Sequence, residues 1–250
     1  MRQRAQDLPM LWRLAGVSWL VGGCAGGGAA DSPESMATEL HFVANVGETP
    51  FACASPVQGL GSQQSQADPM DLRLYLHDVA LLRDGGDAVP FALLPDAAWQ
   101  SERLALLDFE DGSGRCERGT KATNKTLRGS APQHADYVGL RFTLGVPPEL
   151  NHLDLATAEA PLNEPGMWWS WQGGYKYLRA ELQTDANRDG YLFHLGAAGC
   201  AGSPGAGYDC EQQSLATITL LGDIRQPVAL DVQALFAGVD LQQTPNSKDD

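Results

Sequence analysis

Apolar and polar residues alternate one for one in segment after segment of this chain. In ELHFVANV, Leu40, Phe42, Ala44 and Val46 fall on one side and His41 on the other. LRLYLHDV sets Leu72, Leu74 and Leu76 against Arg73, Tyr75 and His77, and DYVGLRFTLGV sets Val138, Leu140, Phe142 and Leu144 against Tyr137, Arg141 and Thr143. YKYLRAEL, YLFHL and LATITLL behave alike. Side chains of a strand point to opposite faces in turn, so this period predicts half-buried strands of antiparallel sheets. Gly, Pro, Asn and Asp cluster between them, in RDGGD, EDGSG, GVPPELN and DANRDG, where turns are required. Only LDVQALFAG, with Asp231 as cap and Gly238 as stop, predicts a short helix. With no βαβ alternation, the expected fold is all-β: an antiparallel β-sandwich or partly closed barrel with long loops and a short C-terminal helix.

The ends read differently. Residues 1–23 carry Arg2 and Arg4 ahead of a short apolar run that Arg13 interrupts, which predicts a signal peptide too short to span a bilayer. Gly22 and Gly23 before Cys24 resemble a bacterial lipobox, so cleavage before Cys24 and lipidation of its thiol are expected. Plain secretion with cleavage among Ala25–Ala30 is the alternative. Residues 24–38 then form a flexible tether, 39–240 one β domain, and 241–250 a disordered tail.

Removing residues 1–23 takes away three Arg and one Asp, leaving 14 basic and 30 acidic side chains, a net of −16. Such a surface repels nucleic acid and anionic lipid, so neither is an expected partner and membrane contact is left to the lipid. Four cysteines remain: Cys53, Cys116, Cys200 and Cys210. An even number in an exported chain predicts two disulfides, and three pairings are open. Cys53–Cys116 with Cys200–Cys210 is favoured, because the loop CAGSPGAGYDC needs a staple.

Signatures of catalysis are missing: there is no GxSxG, HExxH or P-loop, and an enzyme is not expected. DANRDG imitates the start of a calcium loop, but the twelfth position is Gly196 where a bidentate Glu is required. A hairpin connection is the simpler reading.

Three of the six tryptophans lie together in GMWWSWQGGYKYLR. Period two would put Trp169 and Trp171 on one face and Trp168 on the other, with Trp171 the natural core anchor. Two functional readings follow: a platform of Trp168, Trp169 and Trp171 for stacking sugars, or a metal site with nearby histidines and Met167.

The runs ANVGETPFAC, ALLDFEDGSGRCERGT, YVGLRFTLGVPPELNHLD, APLNEPGMWWSWQGGYKYLR and HLGAAGC, in this order, resemble the MbnP-like family, also called the metallo-mystery-pair four-Cys-motif proteins. The resemblance runs from about Leu40 to Leu235. It implies a periplasmic protein of copper homeostasis that binds one copper as Cu(I). Binding would depend on oxidation of the first tryptophan of WxW, here Trp169, to kynurenine by MbnH, a di-haem partner similar to MauG and bacterial cytochrome c peroxidases. Imidazoles are expected to complete the site, and His152 and His194 lie in matched motifs. His41 is the reserve, His77 and His134 are expected at the surface, and Met167 as a gap filler. The expected location is the periplasm, with the lipid of Cys24 in the outer membrane.

Overall fold

The computed structural model describes residues 12–14, 35–133 and 136–243. Two sheets face each other. The first joins β1 (Trp12–Leu14), β2 (Ser35–Val46), β3 (Thr49–Pro50), β7 (Ala92–Leu93), β9 (Thr126–Pro132) and β17 (Val228–Asp231), in the order β1-β17-β2-β9-β7 with β3 on β2. The second joins β4 (Val57–Leu60), β5 (Ser65–Arg83), β6 (Ala88–Pro90), β8 (Ala105–Asp108), β10 (Tyr137–Leu144), β11 (Trp168–Ser170), β12 (Gly174–Gln183), β13 (Tyr191–Gly196) and β16 (Ala216–Leu221). Its spine is β11-β12-β5-β10-β16. β14 (Ala198–Ser203) and β15 (Gly207–Gln212) form a separate two-stranded hairpin.

The alternating apolar residues meet between the sheets, as expected. Leu40 and Phe42 of β2 face Leu140 and Phe142 of β10 in one buried cluster, and the two Phe rings pack edge to face at 6.0 Å. The sheets do not close, so the sandwich is the form adopted. α1 (Val232–Leu235) follows β17, with the Asp231 carboxylate accepting the Ala234 amide at 3.0 Å. It ends at Phe236, before Gly238, because the buried Phe236 ring docks against Tyr191 and Phe193 and the chain turns there. The disulfides are Cys53–Cys116 and Cys200–Cys210.

Several expectations need correction. β2 begins at Ser35, inside the segment read as tether, because Ser35–Thr38 pair with Gly129–Pro132 of β9. Leu241, assigned to the tail, is buried in the core, and its carbonyl accepts from the Asn187 amide at 3.3 Å. Asn187 is thereby fixed in the β12–β13 connection, the hairpin reading of DANRDG. Most of the leader, Cys24 and His134 lie outside the described residues; Trp12–Leu14 pair with β17 at the sheet edge. Val138 is exposed because the β5–β10 register slips between Tyr137 and Gly139.

The largest departure concerns the polar face of the second sheet. Arg73, Tyr75 and His77 were expected to face water, yet all three are buried. β12 is buried at every residue from Gly174 to Leu182. The long segment after β10 folds back over this face: Tyr75 Oη donates to the Pro161 carbonyl at 2.9 Å, and Glu164 reaches Arg73. His77, expected at the surface, is held inside by the Gly145 carbonyl, 2.9 Å from its Nδ1. Among the described residues no helix is long and apolar enough to cross a membrane.

Candidate metal centre

The tryptophans sit on the tight hairpin between β11 and β12. A single 3-10 turn, Pro165–Met167, leads in, capped by Glu164, whose carboxylate accepts the Gly166 amide at 2.9 Å. Met167 is fully buried and fills core space, as expected. β11 stops at Ser170 and residues 171–173 turn. The turn closes through Gly174 (φ +69°), where any Cβ would strike the Asn151 side chain. The buried Asn151 plugs this turn, accepting the Tyr175 amide at 3.0 Å.

Because the strand ends so early, period two fails at its last member. Trp171 is 39% exposed rather than a core anchor, and it packs edge to face on Trp168 at 6.2 Å. Trp168 leans on the core, with its buried Nε1 lacking a partner among the described residues. Trp169 is 38% exposed. Its ring lies 6.1 Å from the His194 ring, with Lys176 Nζ at 5.9 Å from its centroid. Its six-membered ring rests on Gly196: a Cβ there would fall 2.4 Å from Cζ3, so only glycine gives the indole this seat.

Beneath Trp169 runs a buried ionic layer built by strand register. Arg179 of β12 stands opposite Arg73 of β5 and His194 of β13, and Glu181 opposite Asp71. Arg73 donates to both Asp71 oxygens at 2.9 and 2.5 Å and to Glu164 at 3.1 Å. Arg179 donates to both Glu181 oxygens at 2.6 and 2.9 Å, contacts Asp71 at 3.2 Å and donates to the Gly166 carbonyl at 3.1 Å. Lys176 Nζ donates to the Gly166 carbonyl at 2.9 Å. Burial, then the charge of Arg179, lowers the Lys176 ammonium to about 8.

The layer ends on His194, whose Nε2 lies 2.6 Å from Glu181 Oε1. An ionised carboxylate only accepts, so the proton sits on Nε2 and Nδ1 keeps its lone pair. Burial alone would raise the Glu181 carboxyl, but the hydrogen bonds from His194 and Arg179 outweigh it and hold the group at about 2 against 4.5 ordinarily. A carboxylate held low adds stability that is full above its unfolded value and lost as pH falls through the folded one. Urea midpoints of the protein are therefore expected to drop between pH 4.5 and 2, and Glu181→Gln to lose part of that drop.

His152 is placed differently. Its Nδ1 lies 2.9 Å from the Trp171 carbonyl, and its Nε2 lies 3.2 Å from Asn151 Nδ2 and 3.4 Å from Cys210 Sγ. It grips the backbone of the tryptophan turn, while His194 meets the Trp169 ring. His152, Cys200 and Cys210 bring their ligand atoms within 4.8 Å of one another, but both sulfurs are spent in the disulfide and carry no charge for a metal. The reserve, His41, lies on β2 in the other sheet and hydrogen-bonds Thr126. A groove of about 820 Å³ between the 95–103 and 150–163 segments takes in Leu150 and Leu153 but no tryptophan or histidine.

Glu181, Lys176 and Asn151 were not singled out from the sequence, and Gly196 only as the position that fails the calcium-loop pattern. The available signal was in KYLRAE: three charges in a strand directly after a tryptophan cluster.

Together these features define a disulfide-stapled β-sandwich protein that carries an indole–imidazole site on an edge hairpin. The chain belongs to the MbnP family, whose model matches residues 35–249. Its structure is similar to that of MbnP from Methylosinus trichosporium, with a TM-score of 0.75 and 27% identity, covering 86% of this chain and 82% of that one. No curated protein matches it.

Proposed function

We propose that this chain binds one copper ion as Cu(I) in the periplasm, in copper storage, delivery or sensing rather than catalysis, and only after Trp169 has become kynurenine. One observation carries this reading: of the three clustered indoles, Trp169 is the one set against an imidazole whose other nitrogen is already fixed. An indole N–H is a donor and offers copper nothing. Cleaving the C2–C3 bond with oxygen and releasing the formyl carbon leaves an aniline nitrogen beside a ketone. That nitrogen and His194 Nδ1 are neutral donors of the kind suited to Cu(I). His152 steadies the turn through the Trp171 carbonyl. The oxidant is handled by a di-haem partner of the MbnH and MauG type, and the 38% exposure of Trp169 leaves the ring open to it. A lipid on Cys24 holds the chain at the outer membrane.

The test is co-expression with and without the di-haem partner. Intact mass is expected to show a gain mapping to residue 169, with copper retained, only when the partner is present. Trp169→Phe is expected to purify folded and copper-free. Normal copper loading of Trp169→Phe would overturn the proposal.

The equal exposure of Trp171 favours a second reading, a sugar-stacking surface of Trp168, Trp169 and Trp171. It requires tryptophan fluorescence to shift on titration with oligosaccharides, in protein that carries no metal.

A further inference from the structure

Cys200 and Cys210 stand directly opposite each other in the β14–β15 hairpin, in a ladder that runs from Ala198–Gln212 to Ser203–Gly207. Over this pair lies His152. Its Nδ1 proton is committed to the Trp171 carbonyl, so Nε2 holds a lone pair, 3.4 Å from Cys210 Sγ. The ring is stacked on Tyr208 at 4.5 Å with the planes 21° apart, and Asn151 donates to the same Nε2. The imidazole is therefore held in one orientation with Nε2 beside sulfur, and a metal bound there would take the lone pair that now accepts from Asn151.

While the disulfide is closed this arrangement holds no metal. Reduction changes the donor set. A dithiol reductant passes two electrons and two protons to the pair and is itself oxidised to a disulfide; the S–S bond breaks and two thiols form. Other bonds than the disulfide also aim them: the strands share a backbone ladder, and Gln172 Nε2 donates to the Cys200 carbonyl at 2.8 Å, tying β14 to the tryptophan turn. Two thiolates on one metal ion, at bonds of about 2.3 Å, need their sulfurs about 4 Å apart. The hairpin holds the two Cα atoms 3.9 Å apart and sets Nε2 3.4 Å from Cys210 Sγ, so the freed thiols reach that separation by side-chain rotation beside the imidazole.

We propose that reduction of Cys200–Cys210 opens a second, soft-metal site, formed by the two thiolates and His152 Nε2, that takes Cu(I). Thiolates select Cu(I), imidazole completes a three-coordinate set, and the two thiol protons leave as the metal enters. The other disulfide has no such company: Cys53 and Cys116 are both buried, and Cys116 Sγ faces the Pro69 carbonyl at 3.7 Å. The reduced site uses nothing from residue 169, so it stands or falls apart from the kynurenine reading.

The experiment uses full-length protein made without the di-haem partner, so that residue 169 stays an indole. It is titrated with Cu(I) against a chromogenic chelator before and after full reduction by a phosphine. Reduced protein is expected to take one Cu(I) per chain with thiolate-to-copper absorption, and oxidised protein none. Cys200→Ala/Cys210→Ala, fully reduced in the same way, is expected to lose that Cu(I), which separates this pair from Cys53–Cys116. His152→Gln is expected to weaken binding more than about tenfold, as loss of a ligand exceeds loss of its support. Circular dichroism confirms that each reduced protein keeps its strands; alkylated reduced protein, folded but unable to bind, covers the case in which a variant does not. Equal Cu(I) uptake by reduced and oxidised protein, or uptake unchanged by His152→Gln, would overturn the proposal.

Discussion

Arg73→Ala is expected to lower stability by about 3–5 kcal/mol, the cost of leaving buried charge without its partner. Arg73 and Asp71 are each 2% exposed, and the guanidinium forks onto both Asp71 oxygens while a third nitrogen reaches Glu164. Truncation leaves Asp71 facing only Arg179, already engaged with Glu181, and frees Glu164 from the sheet it ties down. Asp108, directly across the register from Arg73, also loses the positive charge that partly offsets the burial raising its carboxyl to about 8. Arg73→Lys is expected to recover only part of the loss, since an ammonium is a point charge that cannot span a carboxylate. Equilibrium unfolding in urea measures both. A loss below about 1 kcal/mol, the range of solvated ion pairs, would show that water reaches this layer.

Glu181→Gln is expected to weaken copper binding by about 10–100-fold in protein whose residue 169 has been oxidised, although Glu181 touches no metal. The carboxylate forces the His194 proton onto Nε2 at 2.6 Å. An amide can donate or accept there, so the tautomer that leaves Nδ1 bare loses its enforcement. Nitrogen chemical shifts of His194 in copper-free protein report the tautomer directly, a readout that simple loosening of the fold would not move. Unchanged shifts together with unchanged copper affinity would remove Glu181 from any positioning role.

The apolar half of each strand pattern was legible because burial between two sheets has no other solution: Leu40, Phe42, Leu140 and Phe142 meet as their period requires. The pairing Cys200–Cys210 was legible from the loop it closes. The polar half was not. Arg73, Tyr75 and His77 look like a solvated face until the segment after β10 folds over them, and that contact depends on partners some ninety residues away, such as Glu164. Trp171 misled for a local reason: a strand of three residues is too short for its period to persist. The WxW motif singled out Trp169 and the matched motifs singled out His194, and the fold sets these two rings 6.1 Å apart. The same motifs paired His152 with them, yet its contacts are with Trp171, Asn151, Cys210 and Tyr208, because nothing in linear order reveals which side of a turn a loop will approach.

The tryptophan turn is pinned on several sides at once. His152 holds the Trp171 carbonyl, Gln172 holds β14, Lys176 and Arg179 hold the Gly166 carbonyl, and the Ser170 hydroxyl accepts the Gly173 amide. None of these bonds involves the side chain of residue 169. The peptide path at this corner therefore behaves as a fixed mount: were the ring it carries rebuilt, its attachment point and the imidazole beside it would stay where folding put them.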